Sequence, residues 1–274
     1  MSYTIRSPLY TMKRLLQAYR CSDTVAARQR LRRWYRTTMG EAVGQAELGL
    51  MAQVLPNLFG YHLLQLGEPL GEDMLAASRI GHRVIMDEIP PQETGRPPSP
   101  TRLLGRSDRL PLASDTLDLL LLPHTLEYAE HPHEVLREAE RVLIPEGHLV
   151  ILGFNPWSLF GLRRLLTGWR DEAPWNGHFY SALRIRDWLA LLGFDTVLVR
   201  NYFYRPPLQN PRLMRSLGRM ERLAERFWSP LGGGYILVAK KRVATLTPIK
   251  PRWRSRRRLL PVGAAEPTAR RDRS

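Results

Sequence analysis

The sequence predicts an α/β protein built on an open, mostly parallel sheet. Three observations carry this. The run Leu117–Leu122 is almost wholly apolar, too short to span a membrane, and suited to a strand buried on both faces. A second buried strand is expected at His148–Phe154. Between them a helical segment opens at Pro132, where a missing N–H costs nothing, and stops at Pro145-Glu146-Gly147. Val135, Leu136, Ala139, Val142 and Leu143 give this segment one apolar face, with Glu134 and Glu138 near its positive end. Two strands joined by a helix form a right-handed parallel crossover. Open sheets of this kind bind ligands beyond the carboxyl ends of their strands.

The remaining elements follow in chain order. Residues 1–39 read as helical and basic, with Leu15, Leu16 and Tyr19, then Leu31, Trp34 and Tyr35, at helical spacing. Glu41–Leu55 is a clearer helix, closed by Pro56. Tyr61–Leu66 and His82–Met86 are strand candidates, and Glu72–Ile80 between them reads as a short helix stopped by Gly81. Ile89–Thr101 is proline-rich and is neither helix nor central strand. Leu103–Leu104 is a short third strand. Beyond the crossover, Ser181–Leu192 forms a helix that Gly193 ends, and Phe194–Phe203 a strand. Leu213, Leu217, Met220, Leu223, Ala224 and Phe227 define one more amphipathic helix, and Gly234–Lys240 the last strand. From Val243 onward Pro, Arg and Gly dominate, and disorder is expected. The organisation is thus a basic helical extension over 1–39, one domain over 40–242 and a basic tail over 243–274.

Composition narrows the function classes. No apolar run approaches the roughly 20 residues of a membrane-spanning helix, and the N-terminus lacks a signal-peptide core, so no integral membrane contact is expected. The single cysteine, Cys21, excludes an internal disulfide and a cysteine-cluster metal site, which fits a reducing, cytoplasmic compartment. The net charge of +15 is uneven: +8 over residues 1–36, +10 over 240–274 and −3 between them. Such arms suit phosphate-rich partners, nucleic acid or anionic lipid; a merely solubilising tail is the plainer alternative.

The order of elements and two motifs resemble the class I S-adenosylmethionine (SAM) dependent methyltransferases, in their bacterial type 11-like branch, over roughly Gly60 to Arg242. The motifs are G-R-S-D-R-L-P-L-A-S-D-T-L-D-L-L-L-L at Gly105–Leu122 and R-E-A-E-R-V-L-I-P-E-G-H-L-V-I at Arg137–Ile151. In that family the loop after strand three reads G-D-A-x-x-L-P-F, strand four starts at an Asp, and R-V-L-K-P-G-G precedes strand five. Leu110-Pro111, Asp118 and Arg141–Gly147 fall on those positions. The resemblance implies a Rossmann-like sheet of seven strands with an antiparallel last strand.

It also implies SAM as cofactor and a set of contact residues: Leu66, Gly67, Gly71, Asp87, Ser107, Asp108, Pro123 and His124. A first strand ending in glycines lets backbone N–H groups approach a ligand. The family's loop reads D-x-G-x-G-x-G; Gly67 and Gly71 match its first and third glycines, while Gln65 replaces the acid and Pro69 the middle glycine. Asp87 ends the second strand, where a carboxylate can accept both ribose hydroxyls, with Glu88 as the alternative if the register slips by one. On the adenine side Arg106 stands where the family has its acid, Asp108 lies two residues on, and the proline-rich segment replaces the helix after strand two.

His124 is a general-base candidate by its near-neutral reference pKa, or else a structural histidine. Asn155, Trp157, Phe160, His178 and Tyr180, with Trp175 and Phe179 nearby, form an aromatic-rich lid candidate suited to a planar or partly apolar acceptor; core packing alone is the alternative. His131 and His133 lack a third ligand, so no metal is expected. The expected function is transfer of a methyl group from a sulfonium to an unidentified acceptor, a small molecule or RNA. The alternative is an inactive methyltransferase fold that binds RNA or a protein through its basic arms.

Overall fold

The computed structural model describes residues 24–70, 74–90, 100–167, 172–207 and 229–242. Seven strands form one sheet: β1 (His62–Leu66), β2 (His82–Asp87), β3 (Thr101–Leu104), β4 (Leu117–Pro123), β5 (Leu143–Phe154), β6 (Phe194–Tyr202) and β7 (Gly234–Lys241). Their order is β3-β2-β1-β4-β5-β7-β6. The pairs among β1 to β5 are parallel, and β7 runs antiparallel between β5 and β6. Five helices accompany the strands among the described residues: α1 (Thr24–Trp34), α2 (Thr38–Val54), α3 (Pro132–Val142), α4 (Leu159–Thr167) and α5 (Ala182–Leu191).

Both faces of the sheet are covered, which is why β4 reads as continuously apolar. The period of two sends Leu119 and Leu121 to one face and Leu120 and Leu122 to the other. On the second face α3 (Val135, Leu136, Ala139) and α5 (Ile185, Leu189) pack on Leu64, Leu120, Ile151 and Leu237. On the first face α1 (Ala27, Leu31, Trp34) and α2 (Met39, Val43, Leu50, Met51) pack on Leu63, Ile85, Leu119 and Val150. Each such leucine or isoleucine contributes roughly 1.5–3 kcal/mol by leaving water. The cover over β1, β2 and β4 on the first face therefore comes from helices that precede the first strand.

Local chemistry sets the helix ends. Thr37 caps α2 by accepting from the Gly40 N–H, and Pro56 lies in the 3-10 turn Leu55–Asn57 that follows it. Ser181 caps α5 by accepting from the Arg184 N–H, and Gly193, with φ +82°, lets the chain turn into β6.

Two expectations are corrected. Of the helix expected over Glu72–Ile80, the described residues Met74–Ile80 form none: Met74–Ala77 is a turn, and Met74, Leu75 and Ile80 fill the core that α1 and α2 already cover. Pro145-Glu146-Gly147 does not separate helix from strand. α3 ends at Val142, and β5 starts at Leu143 with a register irregularity opposite Leu117 and Leu119, where Glu146 adopts φ +69°. The expected helix through Leu213–Phe227, most of the proline-rich segment, the tail from Val243 and residues 1–23 lie outside the described residues.

Candidate active site

The carboxyl ends of β1, β2, β3 and β4 meet at one edge of the sheet. Gly67, just past β1, donates its N–H to the Met86 carbonyl at 2.8 Å and adopts φ +91°, a region that favours glycine. A Cβ built there would meet only Asp87 Oδ2 at 3.9 Å and Thr125 Oγ1 at 4.0 Å. Gln65, in place of the family acid, donates its amide to the Gly67 carbonyl at 2.7 Å and fixes the turn. The Thr125 hydroxyl donates to the Leu66 carbonyl at 2.6 Å, tying the end of β4 to the end of β1.

Asp87 ends β2 and turns its buried carboxylate toward this turn. Oδ1 accepts from the backbone N–H groups of Glu88 (2.7 Å) and Ile89 (3.3 Å); Oδ2 accepts from the N–H of Glu68 (3.0 Å). Two arginines of α1 complete the shell: Arg32 Nη2 donates to Oδ2 at 2.8 Å, and Arg28 Nη1 lies 3.5 Å from Oδ1. Arg32 also donates Nε–H to the Glu68 carbonyl at 3.0 Å.

Arg28 Nη2 donates to Ser107 Oγ at 3.1 Å. Glu88 accepts from both the N–H and the hydroxyl of Ser107, with its Oε1 3.9 Å from Arg28 Nη2. Asp108 pairs with Arg106 through two bonds of 2.9 and 2.7 Å, and that hydrogen bonding holds its carboxyl below the ordinary range. Two cavities result. One of about 20 Å³ is lined by Arg28, Leu31, Arg32, Gly67, Asp87 and His124 among others. One of about 250 Å³ is lined by Thr24, Glu88, Ser107, Asp108 and His131 among others. Arg28 stands between them, reaching Ser107 of one and Asp87 of the other.

Beneath the smaller cavity lies a buried ionic cluster. His124, at φ +52°, places Nδ1 2.7 Å from Glu127 Oε2 and Nε2 3.0 Å from Glu47 Oε1. The hydroxyls of Tyr35 (3.0 Å) and Tyr202 (2.7 Å) also donate to Glu47. The second oxygen of Glu127 accepts from the Phe154 N–H. Burial alone would lower the His124 pKa, but the two carboxylates outweigh it and raise it to about 10. The ring is then an imidazolium with both N–H groups engaged. Both ring nitrogens are engaged by carboxylates, an arrangement that suits the structural histidine which the sequence leaves open beside the general base. Burial, then the charge of Glu47, pushes the Tyr35 and Tyr202 hydroxyls well up, so both remain neutral donors.

The aromatic residues beyond β5 divide between anchoring and exposure. Asn155 is buried, donates its amide to the carbonyls of Pro230 (2.8 Å) and Gly232 (3.0 Å), and accepts from the Trp157 N–H. Phe160 is buried against Phe154, whose ring lies 4.2 Å from that of His124. The backbone N–H of His178 donates to the Glu127 carbonyl at 2.8 Å, and the half-buried Tyr180 has its pKa raised by burial. Trp157 points to solvent.

A further cavity of about 410 Å³ is lined by Ala42, Ala46 and Leu50 of α2 and by Arg200, Tyr202 and Tyr204. Gly71 lies outside the described residues. Among the described residues no group of three or more His, Cys, Asp or Glu is placed to hold a metal ion.

Sequence reasoning missed Arg28, Arg32, Glu47 and the role of Glu127. Only Glu47 carried a signal: it sits on the apolar stripe of α2 between Val43 and Leu50, where a lone carboxylate needs partners.

Comparison with known proteins agrees with this architecture. The family model of a methyltransferase domain matches residues 75–151. The chain is 33% identical over 190 residues to the uncharacterized protein YafS of Escherichia coli, covering 69% of this chain and 72% of that one. Among solved structures, a SAM-dependent methyltransferase from Thermotoga maritima, described as a possible histamine N-methyltransferase, shares the fold. It matches at a TM-score of 0.52 and 16% identity, over 77% of this chain and 93% of that one. A SAM-dependent methyltransferase from Mesorhizobium loti matches at a TM-score of 0.52 and 18% identity, over 73% and 100%.

Proposed function

The chain belongs to the class I SAM-dependent methyltransferases, and from that premise we propose that it methylates a small, partly apolar acceptor held at the carboxyl edge of its sheet. The observation that carries this reading is the pairing of Gly67 with Asp87: a left-handed turn with open space before it, faced by a buried carboxylate at the end of the next strand.

The cofactor of the family is SAM, and the groove fits it in floor and donor set. The space before Gly67 is a cradle that a Cβ would enter, and Asp87 is oriented by three backbone N–H groups whatever else it binds. Ser107 and Asp108 line the adjoining cavity, where the base of a nucleoside would lie. Room is what α1 takes: about 20 Å³ is free beside Gly67, against the several hundred Å³ of a ligand pocket. In this reading Gly67 and Asp87 hold the methionine and ribose parts, and Arg28 and Arg32 release Asp87 when they do so.

When bound, the cofactor supplies an electrophilic methyl group on a sulfonium. The chain's own residues align and exclude water. His124 positions Glu47 and Glu127. Two carboxylates engage the one His124 ring under the groove, and Arg28 and Arg32 line the same cavity.

The alternative, an inactive fold that binds RNA or protein through its basic arms, draws support from the same α1 contact if α1 never leaves the groove. Incubation of the chain and a cell extract with methyl-tritiated SAM tests both. Label in the organic-soluble fraction is the expected result. Label in RNA replaces the small acceptor with RNA, and cofactor binding without any transfer supports the inactive fold.

A further inference from the structure

Helix α4 is turned inside out. Its buried residues are Phe160 and Gly161, whereas Leu159, Leu162, Leu165 and Leu166 are 49%, 52%, 69% and 67% exposed. Trp157, two residues ahead of the helix, is 73% exposed. Spacings of three and four place these leucines on one face. The two arginines of the helix do not share that face with water. Arg163 lies over the Trp175 ring and donates to the Pro207 carbonyl; Arg164 lies over the Phe179 ring and donates to the Gly177 carbonyl at 2.6 Å. A contiguous apolar patch of this kind marks a surface that something covers.

The surrounding charge says what. α4 itself carries Arg163 and Arg164 and no acid, and the next described acid along the chain is Glu172. Arg205 lies over the Phe203 ring, which packs edge-on against Phe160 of α4. An apolar helix face, a tryptophan beside it and a rim of arginine suit the interface of an anionic bilayer. Nine residues are too short to span a membrane but long enough to lie in its surface. No described helix is long and apolar enough to cross a membrane, so the contact is peripheral.

We propose that Trp157 and the leucine face of α4 dock the protein on an anionic lipid bilayer. Phe160 carries the inner side of α4 to Phe154 and so to His124. If the methyl-transfer reading holds, docking brings the candidate site to acceptors dissolved in lipid; the docking itself does not depend on that reading.

The test uses the full chain without cofactor, so that its failure is separate from failure of methyl transfer. Co-sedimentation with vesicles of phosphatidylglycerol and phosphatidylcholine in equal parts is measured at about 0.1 M and about 0.5 M salt. Attraction through the basic arms fades at the higher salt, whereas the apolar contact persists. Leu162→Glu/Leu165→Glu is expected to weaken the high-salt binding by about tenfold or more, with an unchanged thermal melt because both side chains are exposed. Acyl-brominated lipid is expected to quench tryptophan emission in the parent chain, and Trp157→Phe to remove most of that quenching. Absence of vesicle binding, equal high-salt binding by the double variant, or a dimer in solution that the double variant dissolves would each overturn the proposal; the last would make a second copy the occupant of the face.

Discussion

Arg32 of α1 donates to Asp87 at the end of β2 at 2.8 Å, so an element lying before the first strand completes the shell of the acid proposed to hold the cofactor's ribose. Arg28 adds a second guanidinium 3.5 Å away. Both pairs are largely buried, and the donors on Asp87 are those that ribose hydroxyls would have to displace.

This makes α1 a competitor. Arg28→Ala/Arg32→Ala should bind SAM about tenfold more tightly than the parent chain, the size of one charge-assisted hydrogen bond. The same variant should melt at a lower temperature, since Asp87 keeps only backbone donors. Calorimetric titration and a thermal melt check the two effects. Weaker binding in the variant would make the arginines cofactor ligands instead.

The buried cluster gives a stability prediction. Glu47 accepts from His124, Tyr35 and Tyr202. Glu47→Ala should cost about 3–5 kcal/mol, because it removes one of the two carboxylates on the buried His124 ring and the acceptor of two buried hydroxyls. Glu47→Gln should cost less, since the amide oxygen still accepts. Urea denaturation curves at neutral pH measure both.

His124 also sets a pH dependence. Its folded pKa of about 10 lies above the ordinary 6.5. The stability it contributes is therefore complete below about pH 6.5 and is lost as pH rises through about 10. The urea midpoint of the parent chain should fall across that window. His124→Asn should start lower and lack this component of the fall.

Gly67→Ala separates floor from fold. At φ +91° an alanine is strained by about 1–2 kcal/mol, and its methyl enters the space beside Asp87 and Thr125. The variant should fold, with a modest loss in urea, yet bind cofactor much more weakly. Full affinity would remove this turn from the site.

Much of the sheet was legible in the sequence because buried strands announce themselves: Leu117–Leu122 and His148–Phe154 fall within β4 and β5, and Phe194–Phe203 within one residue of β6. The miss at Glu72–Ile80 has a tertiary cause. Met74, Leu75 and Ile80 needed only to reach a core, and α1 and α2 had already taken the place of a helix there. In the site, Gly67 and Asp87 stand out because strand ends can be counted along the chain. Arg32, 55 residues from Asp87, and Glu47, 77 residues from His124, cannot be paired by any local pattern. Glu47 betrays itself only as an acid on an apolar stripe, and Arg28 and Arg32 are hidden among the many arginines of a basic segment.

The most direct test of the account is calorimetric titration of the full chain with SAM, alongside Asp87→Ala. The account predicts micromolar binding that weakens by about tenfold or more in the variant, the worth of a hydrogen-bonded carboxylate. Equal affinity in the variant, or no binding at millimolar cofactor by the parent chain and by Arg28→Ala/Arg32→Ala alike, would contradict it.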